Sequence, residues 1–87
     1  MYCILVYDIA VARVNKICNF LRMYLNWVQN SVFEGEIDEV ALMRIRDFLN
    51  ENLNKNIDSV IIYTFYSQKQ VRREIMGIEK SKLDQII

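Results

Sequence analysis

The hydrophobic residues of this chain change their spacing several times, and each change predicts a new element of secondary structure. Residues 2–9 form an apolar stretch rich in β-forming side chains, which is typical of a strand buried on both faces. Alternation divides this strand into two faces, one of which carries Tyr2, Ile4, Val6 and Asp8. Asp8 is therefore predicted to lie at the end of the strand, where the chain leaves the sheet.

Helical spacing follows the first strand and returns later in the chain. Apolar residues repeat at the α-helical period over residues 11–26 and again over residues 37–53, with Asp38 as the predicted N-cap of the second helix. Residues 27–36, between the helices, have room for one long strand or for two short bent strands. Residues 58–65 predict the last clear strand.

Strands that alternate with helices predict an α+β fold. The expected architecture is a ferredoxin-like sandwich, with an antiparallel sheet and two helices on one of its faces. Residues 1–87 are predicted to form a single domain. The weakly apolar residues 74–78 are unsuited to a central strand, and we expect them to pair with a sheet edge. If that edge belongs to a second copy, the C-terminal strand is exchanged in a homodimer.

The composition excludes several classes of active site. The chain has no histidine, which removes Ser-His-Asp and Cys-His nucleophiles, imidazole acid–base catalysis and Cys/His zinc sites. Its two glycines cannot form a Walker loop or a GxGxxG phosphate cradle. Its 11 basic residues balance 11 acidic residues, so no excess of positive charge points to nucleic acid, although a local basic stripe can still bind phosphate.

The cellular compartment is predicted from the cysteines and the apolar runs. Cys3 and Cys18 lack CxxC spacing and are interpreted as small buried residues in a reducing cytosol. Asp8 interrupts the first apolar run, and no run approaches the length of a membrane span. We therefore predict a soluble, cytoplasmic protein with no membrane partner.

Asp8 is the first candidate for chemistry, because a carboxylate at the end of an apolar strand costs free energy unless it is compensated. Two structural interpretations are open, in which Asp8 either caps the following helix or pairs with Arg13. In the functional interpretation Asp8 is a metal ligand for Mg²⁺ or Mn²⁺, which prefer oxygen ligands. A two-fold dimer would then bring two copies of Asp8 to one cation.

Residues 29–35 are the second candidate. Periodicity makes Phe33 a core or interface aromatic, while Glu34 is either a second acidic ligand or, as we expect, a solvated side chain. Basic residues are the third candidate, interpreted either as solvated charges or as phosphate contacts. They comprise Arg13, Lys16 and Arg22 on one surface of the first helix and the doublet Arg72–Arg73 near the tail.

Four segments of the chain, taken together, resemble a known family. They are residues 2–9 (YCILVYDI), the first helix with Arg13 and residues 15–17 (NKI), residues 28–35 (VQNSVFEG) and residues 58–63 (DSVIIY). In this order they look like the second CRISPR-associated protein family, the small endoribonucleases that partner the CRISPR integrase. The resemblance covers essentially the whole chain.

The resemblance implies a ferredoxin-like homodimer whose C-terminal strands cross to the partner. It also implies a role in spacer acquisition, in which the dimer bridges the CRISPR integrase and lies along double-stranded DNA. Some relatives are Mg²⁺-dependent endonucleases that act on single-stranded RNA or duplex DNA. By this resemblance Asp8 holds the metal at the dimer interface, and Arg13 and Phe33 are catalytic residues of the same site. The residues that we expect to contact nucleic acid are Arg13, Lys16 and Arg22, because they share one surface of the first helix.

Three other functions are kept beside this one. A non-catalytic ferredoxin-like scaffold would supply only shape, a basic groove and a docking surface, and it would not need Asp8. An RNA-cleaving toxin of the same fold would arrest growth when the chain is expressed alone. A regulatory module that binds a small ligand would need a pocket, and no polar cluster in the sequence marks one.

Overall fold

The computed structural model describes residues 1–82. Its elements, in chain order, are β1 (Tyr2–Asp8), α1 (Val11–Leu21), β2 (Asn26–Gln29), β3 (Val32–Glu36), α2 (Glu39–Asn52), β4 (Ser59–Phe65) and a short 3₁₀ turn (Gln68–Gln70). The four strands form one sheet in the order β2-β3-β1-β4, and every neighbouring pair is antiparallel. The predicted α+β sandwich is confirmed.

Strand β1 lies at the centre of the sheet. Leu5 of β1 faces Phe33 of β3 on one side and Ile62 of β4 on the other. At the end of β1, Asp8 is in register with Ser59, the first residue of β4. The register therefore places the C-terminal end of β1 beside the N-terminal end of β4.

Both helices pack on one face of the sheet, because their apolar stripes share a core with alternate residues of β1 and β3. The buried cluster comprises Cys3, Leu5, Ile17, Leu21, Leu25, Phe33, Ile37, Leu42, Ile45 and Leu49. Between the helices the rings of Phe20 and Phe48 stack with their centroids 3.8 Å apart. Trp27 packs against the same core and donates from its indole nitrogen to the Asn30 carbonyl oxygen at 3.0 Å.

The opposite face of the sheet, which we call the open face, carries the other residues of β1. Tyr2 is buried although it lies outside the helix-side core cluster, whereas Ile4 and Val6 are half-buried. Asp8, at the rim of this face, is exposed. The expectation that β1 is buried on both faces is thus met only in part by a single copy of the chain.

Helix α1 is shorter than predicted, because the chain turns after Leu21. The amides of Met23 and Tyr24 bond to carbonyls only three residues back, which tightens the last turn and ends the helix. Leu25 continues the apolar stripe of the helix in the sequence, yet it reaches the core from the segment that leads into β2. Periodicity alone could not separate these two cases.

The segment between the helices forms two short strands, which decides between the two alternatives left open by the sequence. Strands β2 and β3 are joined at Asn30 and Ser31, and Asn30 has a φ of 41°, in the left-handed region that asparagine tolerates better than most residues. The register shifts between Trp27 and Gln29, which bends β2.

The predicted N-cap of α2 is confirmed, since the Asp38 carboxylate accepts from the Ala41 amide at 2.8 Å. Cys3 is buried and Cys18 half-buried, and neither forms a disulfide. Residues 74–78, which we expected to pair with an edge, are not a strand in this single copy.

Replacing Phe33 with alanine is expected to destabilise the fold by about 3–5 kcal/mol, because the ring fills the centre of the core and would leave a cavity. Its side chain is 0% exposed. Urea unfolding followed by circular dichroism measures the loss. Val11→Ala, at a position 88% exposed, is the control that should change little. Equal stability of the two variants would contradict the placement of Phe33.

Candidate active site

Asp8 is the predicted metal ligand, and the structure leaves its carboxylate free among residues 1–82. Helix α1 has Ala10 at its N-cap position and no side-chain cap, so Asp8 does not cap it. Arg13 binds Asp58 instead of Asp8. Both structural interpretations of Asp8 are therefore wrong, and within the described part of the chain the side chain of Asp8 makes no hydrogen bond or ion pair.

Asp58 is the carboxylate that organises this end of the sheet, and sequence reasoning gave it no role. Its side chain is fully buried, and its Oδ2 accepts from the Nε of Arg13 at 2.6 Å while its Oδ1 accepts from Nη2 at 2.9 Å. It also accepts from the backbone amides of Ala10 and Asn54, each at 2.9 Å. One carboxylate thus joins the start of α1 to the loop that precedes β4.

The Arg13 pair shifts the acidity of both partners. Hydrogen bonds from the Arg13 guanidinium, helped by those from the Ala10 and Asn54 amides, hold the pKa of Asp58 well below its usual range. In return, the hydrogen bond to Asp58 raises the pKa of Arg13. Asp58 is therefore ionised at neutral pH and acts as a fixed anion. A group of this kind holds the loop after Asp8 in place, and it is not available as a general acid.

The basic residues predicted to contact phosphate differ in their surroundings. Two of the guanidinium nitrogens of Arg13 are occupied by the Asp58 carboxylate, whereas Lys16 is exposed on the surface of α1. The guanidinium carbon of Arg22 lies 5.9 Å from the ring centroid of Phe33. The predicted phosphate contacts of all three remain predictions.

Phe33 lies within the core and not at the open face. It has no exposed surface, and its ring centroid is 5.9 Å from that of Tyr7. The core interpretation of Phe33 accounts for its position, because its β3 register sets it opposite Leu5 on the helix side. The catalytic role predicted for Phe33 stays a prediction. In this conformation its side chain has no exposed surface with which to contact a substrate.

Glu34 corrects a second expectation, because it is not solvated. Its residue is 7% exposed, and its Oε1 accepts from Nη1 of Arg73, which lies in the tail after β4. Arg73 therefore is not an ordinary solvated charge either. Alternation along β3 places Glu34 on the side of the sheet away from Phe33. The Glu34–Arg73 pair therefore lies on the open face, as the Asp8 carboxylate does.

A metal site complete within one chain is not present in residues 1–82, where no three His, Cys, Asp or Glu side chains cluster. Asp8 nevertheless fits a hard cation, because its oxygens are exposed and unpaired within that range. A set of three or more such ligands at this rim would need groups from outside the described residues, for example from a second copy of the chain. The described residues also include no helix that is long and apolar enough to cross a membrane.

Comparison with known proteins identifies the family. The family model described as CRISPR associated protein Cas2 matches residues 1–74. The chain belongs to the Cas2 family. Over 87 residues it is 53% identical to the CRISPR-associated endoribonuclease Cas2 of Methanocaldococcus jannaschii, a match that covers 100% of this chain and 76% of the relative. It is 52% identical to the Cas2 endoribonuclease of Pyrococcus furiosus, with 100% of both chains covered.

Solved Cas2 structures share the fold described above. One crystal structure of Cas2 superposes with a TM-score of 0.84 at 42% identity, covering 93% of this chain and 91% of that one. Streptococcus pyogenes Cas2, crystallised at pH 6.5, gives a TM-score of 0.78 at 25% identity, covering 88% of this chain and 100% of that one. The resemblance noted in the sequence is thus confirmed as membership of the Cas2 family.

Proposed function

We propose that this Cas2-family chain acts in CRISPR adaptation as a homodimer that bridges the CRISPR integrase and binds double-stranded DNA. We further propose a Mg²⁺-dependent endonuclease activity, on single-stranded RNA or duplex DNA, at paired copies of Asp8. The observation that carries both parts is the state of Asp8. Asp8 is exposed at the rim of the open face, and its carboxylate has no hydrogen-bond or ion-pair partner within residues 1–82.

The contrast with the other carboxylates of the sheet supports this interpretation of Asp8. Glu34 pairs with Arg73, and Glu36 lies 3.3 Å from the N-terminal ammonium group. Asp58, which immediately precedes β4, pairs with Arg13. Asp8 differs from these carboxylates, because no cation among the described residues pairs with it. We therefore expect the charge that neutralises Asp8 to come from outside the chain.

The open face supports the dimer. Ile61 and Tyr63 of β4 are 48% and 49% exposed, and Ile4 and Val6 beside them are only half-buried. Such an apolar sheet face favours contact with another protein surface. A two-fold axis across this face would cover these side chains. It would also bring the two Asp8 side chains toward each other at its rim.

The chemistry follows from two carboxylates at one rim. A bound Mg²⁺ would supply Lewis acidity toward a phosphodiester oxygen and toward a water molecule. The chain itself would hold the two Asp8 carboxylates in place through the loop that Asp58 fixes. Because the chain has no histidine, a carboxylate oxygen is the side-chain group suited to accept the proton of the attacking water near neutral pH. Exposed Lys16 would contact the nucleic-acid backbone.

A non-catalytic scaffold is the second candidate, and the incomplete metal site favours it. The described residues of one chain bring no three metal-ligating side chains together. Bridging and DNA binding would then depend on shape, surface charge and docking alone. Asp8 would be dispensable for spacer insertion.

Spacer integration in vitro with the cognate integrase tests the proposed function. We expect a chain that ends at Val71 to lose integration to the level seen without the protein, because it lacks Arg73 and the rest of the tail. Asp8→Ala should keep integration if bridging is the role of the dimer there, and should lose it if cleavage at the rim is part of that process. Circular dichroism checks that both variants fold. Full integration by the truncated chain would contradict bridging by a tail-dependent dimer.

A further inference from the structure

The rim of the open face at Asp8 offers few hydrogen-bond donors to a phosphodiester. An ionised carboxylate such as that of Asp8 only accepts hydrogen bonds, and its charge repels a phosphate. The Arg13 guanidinium already gives its Nε and Nη2 to Asp58. Lys16 lies more than one turn into α1. A nucleic-acid strand held beside Asp8 therefore needs a further donor at this rim.

Ser59 lies directly across the sheet from Asp8. The two residues are in register as the final pair between β1 and β4. Partners in an antiparallel pair project from the same face of the sheet, with their Cβ atoms about 4.5–5.5 Å apart. Alternation along β4 agrees, because the next residue, Val60, packs against the helix-side core. The Ser59 side chain therefore lies on the open face, at the same rim as the Asp8 carboxylate.

The fold makes no use of the Ser59 hydroxyl. The residue is exposed, and its side chain makes no hydrogen bond within residues 1–82. The side chain of Asp8 makes none in that range either. Because a hydroxyl can donate a hydrogen bond, Ser59 supplies this rim with the donor that the carboxylate lacks.

The backbone next to both rim residues is fixed by one buried group. Asp58 directly precedes Ser59, and its carboxylate binds Arg13 and the amide of Ala10. Ala10 is two residues after Asp8. The hydroxyl of Ser59 and the carboxylate of Asp8 are thus held relative to each other before a ligand arrives, so little ordering is needed when one group binds at both.

We propose that Ser59 is a substrate-binding residue of the Asp8 site, and that its hydroxyl donates a hydrogen bond to a phosphate oxygen of the bound nucleic acid. This inference rests on the Asp8 site of the proposed function. Every RNA and DNA strand carries the phosphodiester, so the contact is independent of base sequence. Because the phosphate is anionic both in the substrate and in the transition state, the contact adds affinity without changing the rate of the chemical step.

Ser59→Ala is expected to raise the KM for Mg²⁺-dependent cleavage of a labelled single-stranded RNA or duplex DNA by about tenfold, because a hydrogen bond to a charged group is lost. The kcat and the Mg²⁺ concentration for half-maximal cleavage should stay as in the wild type. Ser59→Thr keeps the hydroxyl and should restore the wild-type KM. Circular dichroism and sedimentation equilibrium verify that the variants fold and associate as the wild type does.

Ser67→Ala is the matched control for Ser59→Ala. It makes the same chemical change beyond the other end of β4, at a serine whose side chain makes no capping hydrogen bond. The KM of this control should equal that of the wild type.

Binding without cleavage gives a second readout. In the Asp8→Asn background, which removes the repulsion between carboxylate and phosphate, fluorescence anisotropy in EDTA measures the affinity for the same labelled strands. Adding Ser59→Ala should weaken binding by about tenfold at every salt concentration. The slope of affinity against salt should not change, because the hydroxyl is neutral. Adding Lys16→Gln should instead lower that slope by about 1, since it removes a charge that contacts phosphate.

The other outcomes are distinguishable. An unchanged KM and unchanged binding in Ser59→Ala, with Asp8→Asn inactive, would overturn this inference and leave the proposed endonuclease standing. A higher Mg²⁺ requirement with an unchanged KM would show that the hydroxyl holds the cation and not the phosphate. Equal losses in Ser59→Ala and Ser59→Thr would assign the effect to the strand and exclude the hydroxyl contact. Full activity of Asp8→Asn would overturn the proposed site and this inference together.

Discussion

Asp8→Asn is expected to lower the proposed Mg²⁺-dependent cleavage of single-stranded RNA or duplex DNA by at least about 100-fold. Groups that only orient the ligands of a metal typically contribute 10–100-fold, so the loss of a ligand itself should cost at least as much. The amide keeps the size of the carboxylate but loses its negative charge, which is what a hard cation binds. The side chain of Asp8 is exposed and makes no hydrogen bond or ion pair within residues 1–82. The thermal midpoint of unfolding should therefore not fall.

Asp47→Asn is the matched control for Asp8→Asn. It makes the same chemical change at an exposed carboxylate on α2, on the other side of the sheet. Cleavage is measured with Mg²⁺ and again after EDTA, and both the control and the wild-type chain should lose activity only with EDTA. Activity that survives in Asp8→Asn would reject the metal mechanism and indicate a contaminating nuclease. The scaffold would then be the better account of the chain.

Much of the fold was predictable, because the elements that matter most carry strong local patterns. Strand β1 is a long apolar stretch, and α2 has both a clean helical stripe and the Asp38 cap. The end of α1 was not predictable, because Leu25 fits the helical stripe while it packs from the following segment. The hairpin at Asn30 has no glycine to mark it, so the sequence allowed one strand or two.

The candidate site was predicted less completely, because its interactions join residues far apart in sequence. Asp8 was singled out as a candidate from its place at the end of an apolar strand, and its role as a metal ligand stays a prediction. Asp58 was missed, although a signal exists: it immediately precedes a strand, and in an antiparallel sheet that position lies beside the end of β1. Glu34 was expected in water, because its partner Arg73 is 39 positions away.

The Arg13–Asp58 pair changes how an Arg13 variant should be understood. A loss of cleavage in Arg13→Ala would not by itself indicate a phosphate contact, because the substitution also leaves the buried Asp58 carboxylate without its cation. Asp58 binds the amide of Ala10, two residues after Asp8. Arg13 can therefore act on the Asp8 rim through the backbone, as a positioning residue. Comparing Arg13→Ala with Asp58→Asn separates the two, since only the first removes a guanidinium that could reach phosphate.

Asp58→Asn is expected to destabilise the fold more than any substitution of an exposed carboxylate and to make the protein less sensitive to acid. In the wild-type chain the folded pKa of Asp58 lies below its unfolded value. Its contribution to stability is therefore complete above the unfolded pKa of about 4, and it is lost as the pH falls below that value toward the folded pKa. Urea unfolding at intervals from about pH 6 to about pH 2 measures this loss, and Asp58→Asn should remove it from the profile.

Arg13→Gln should act through the same interaction, because the Arg13 guanidinium is the largest cause of the lowered pKa of Asp58. We expect Arg13→Gln to reduce the fall in the free energy of unfolding between about pH 4 and about pH 2, which we call the acid limb of the profile. The control Asp47→Asn should leave the acid limb as in the wild type. The double variant Arg13→Gln/Asp58→Asn should be more stable than the sum of the two single losses implies, because each single variant leaves one partner buried and unpaired. Strictly additive losses, with the acid limb retained in Asp58→Asn, would show that the pair does not hold this end of the sheet. The loop after Asp8 would then have to be fixed by contacts other than those of Asp58.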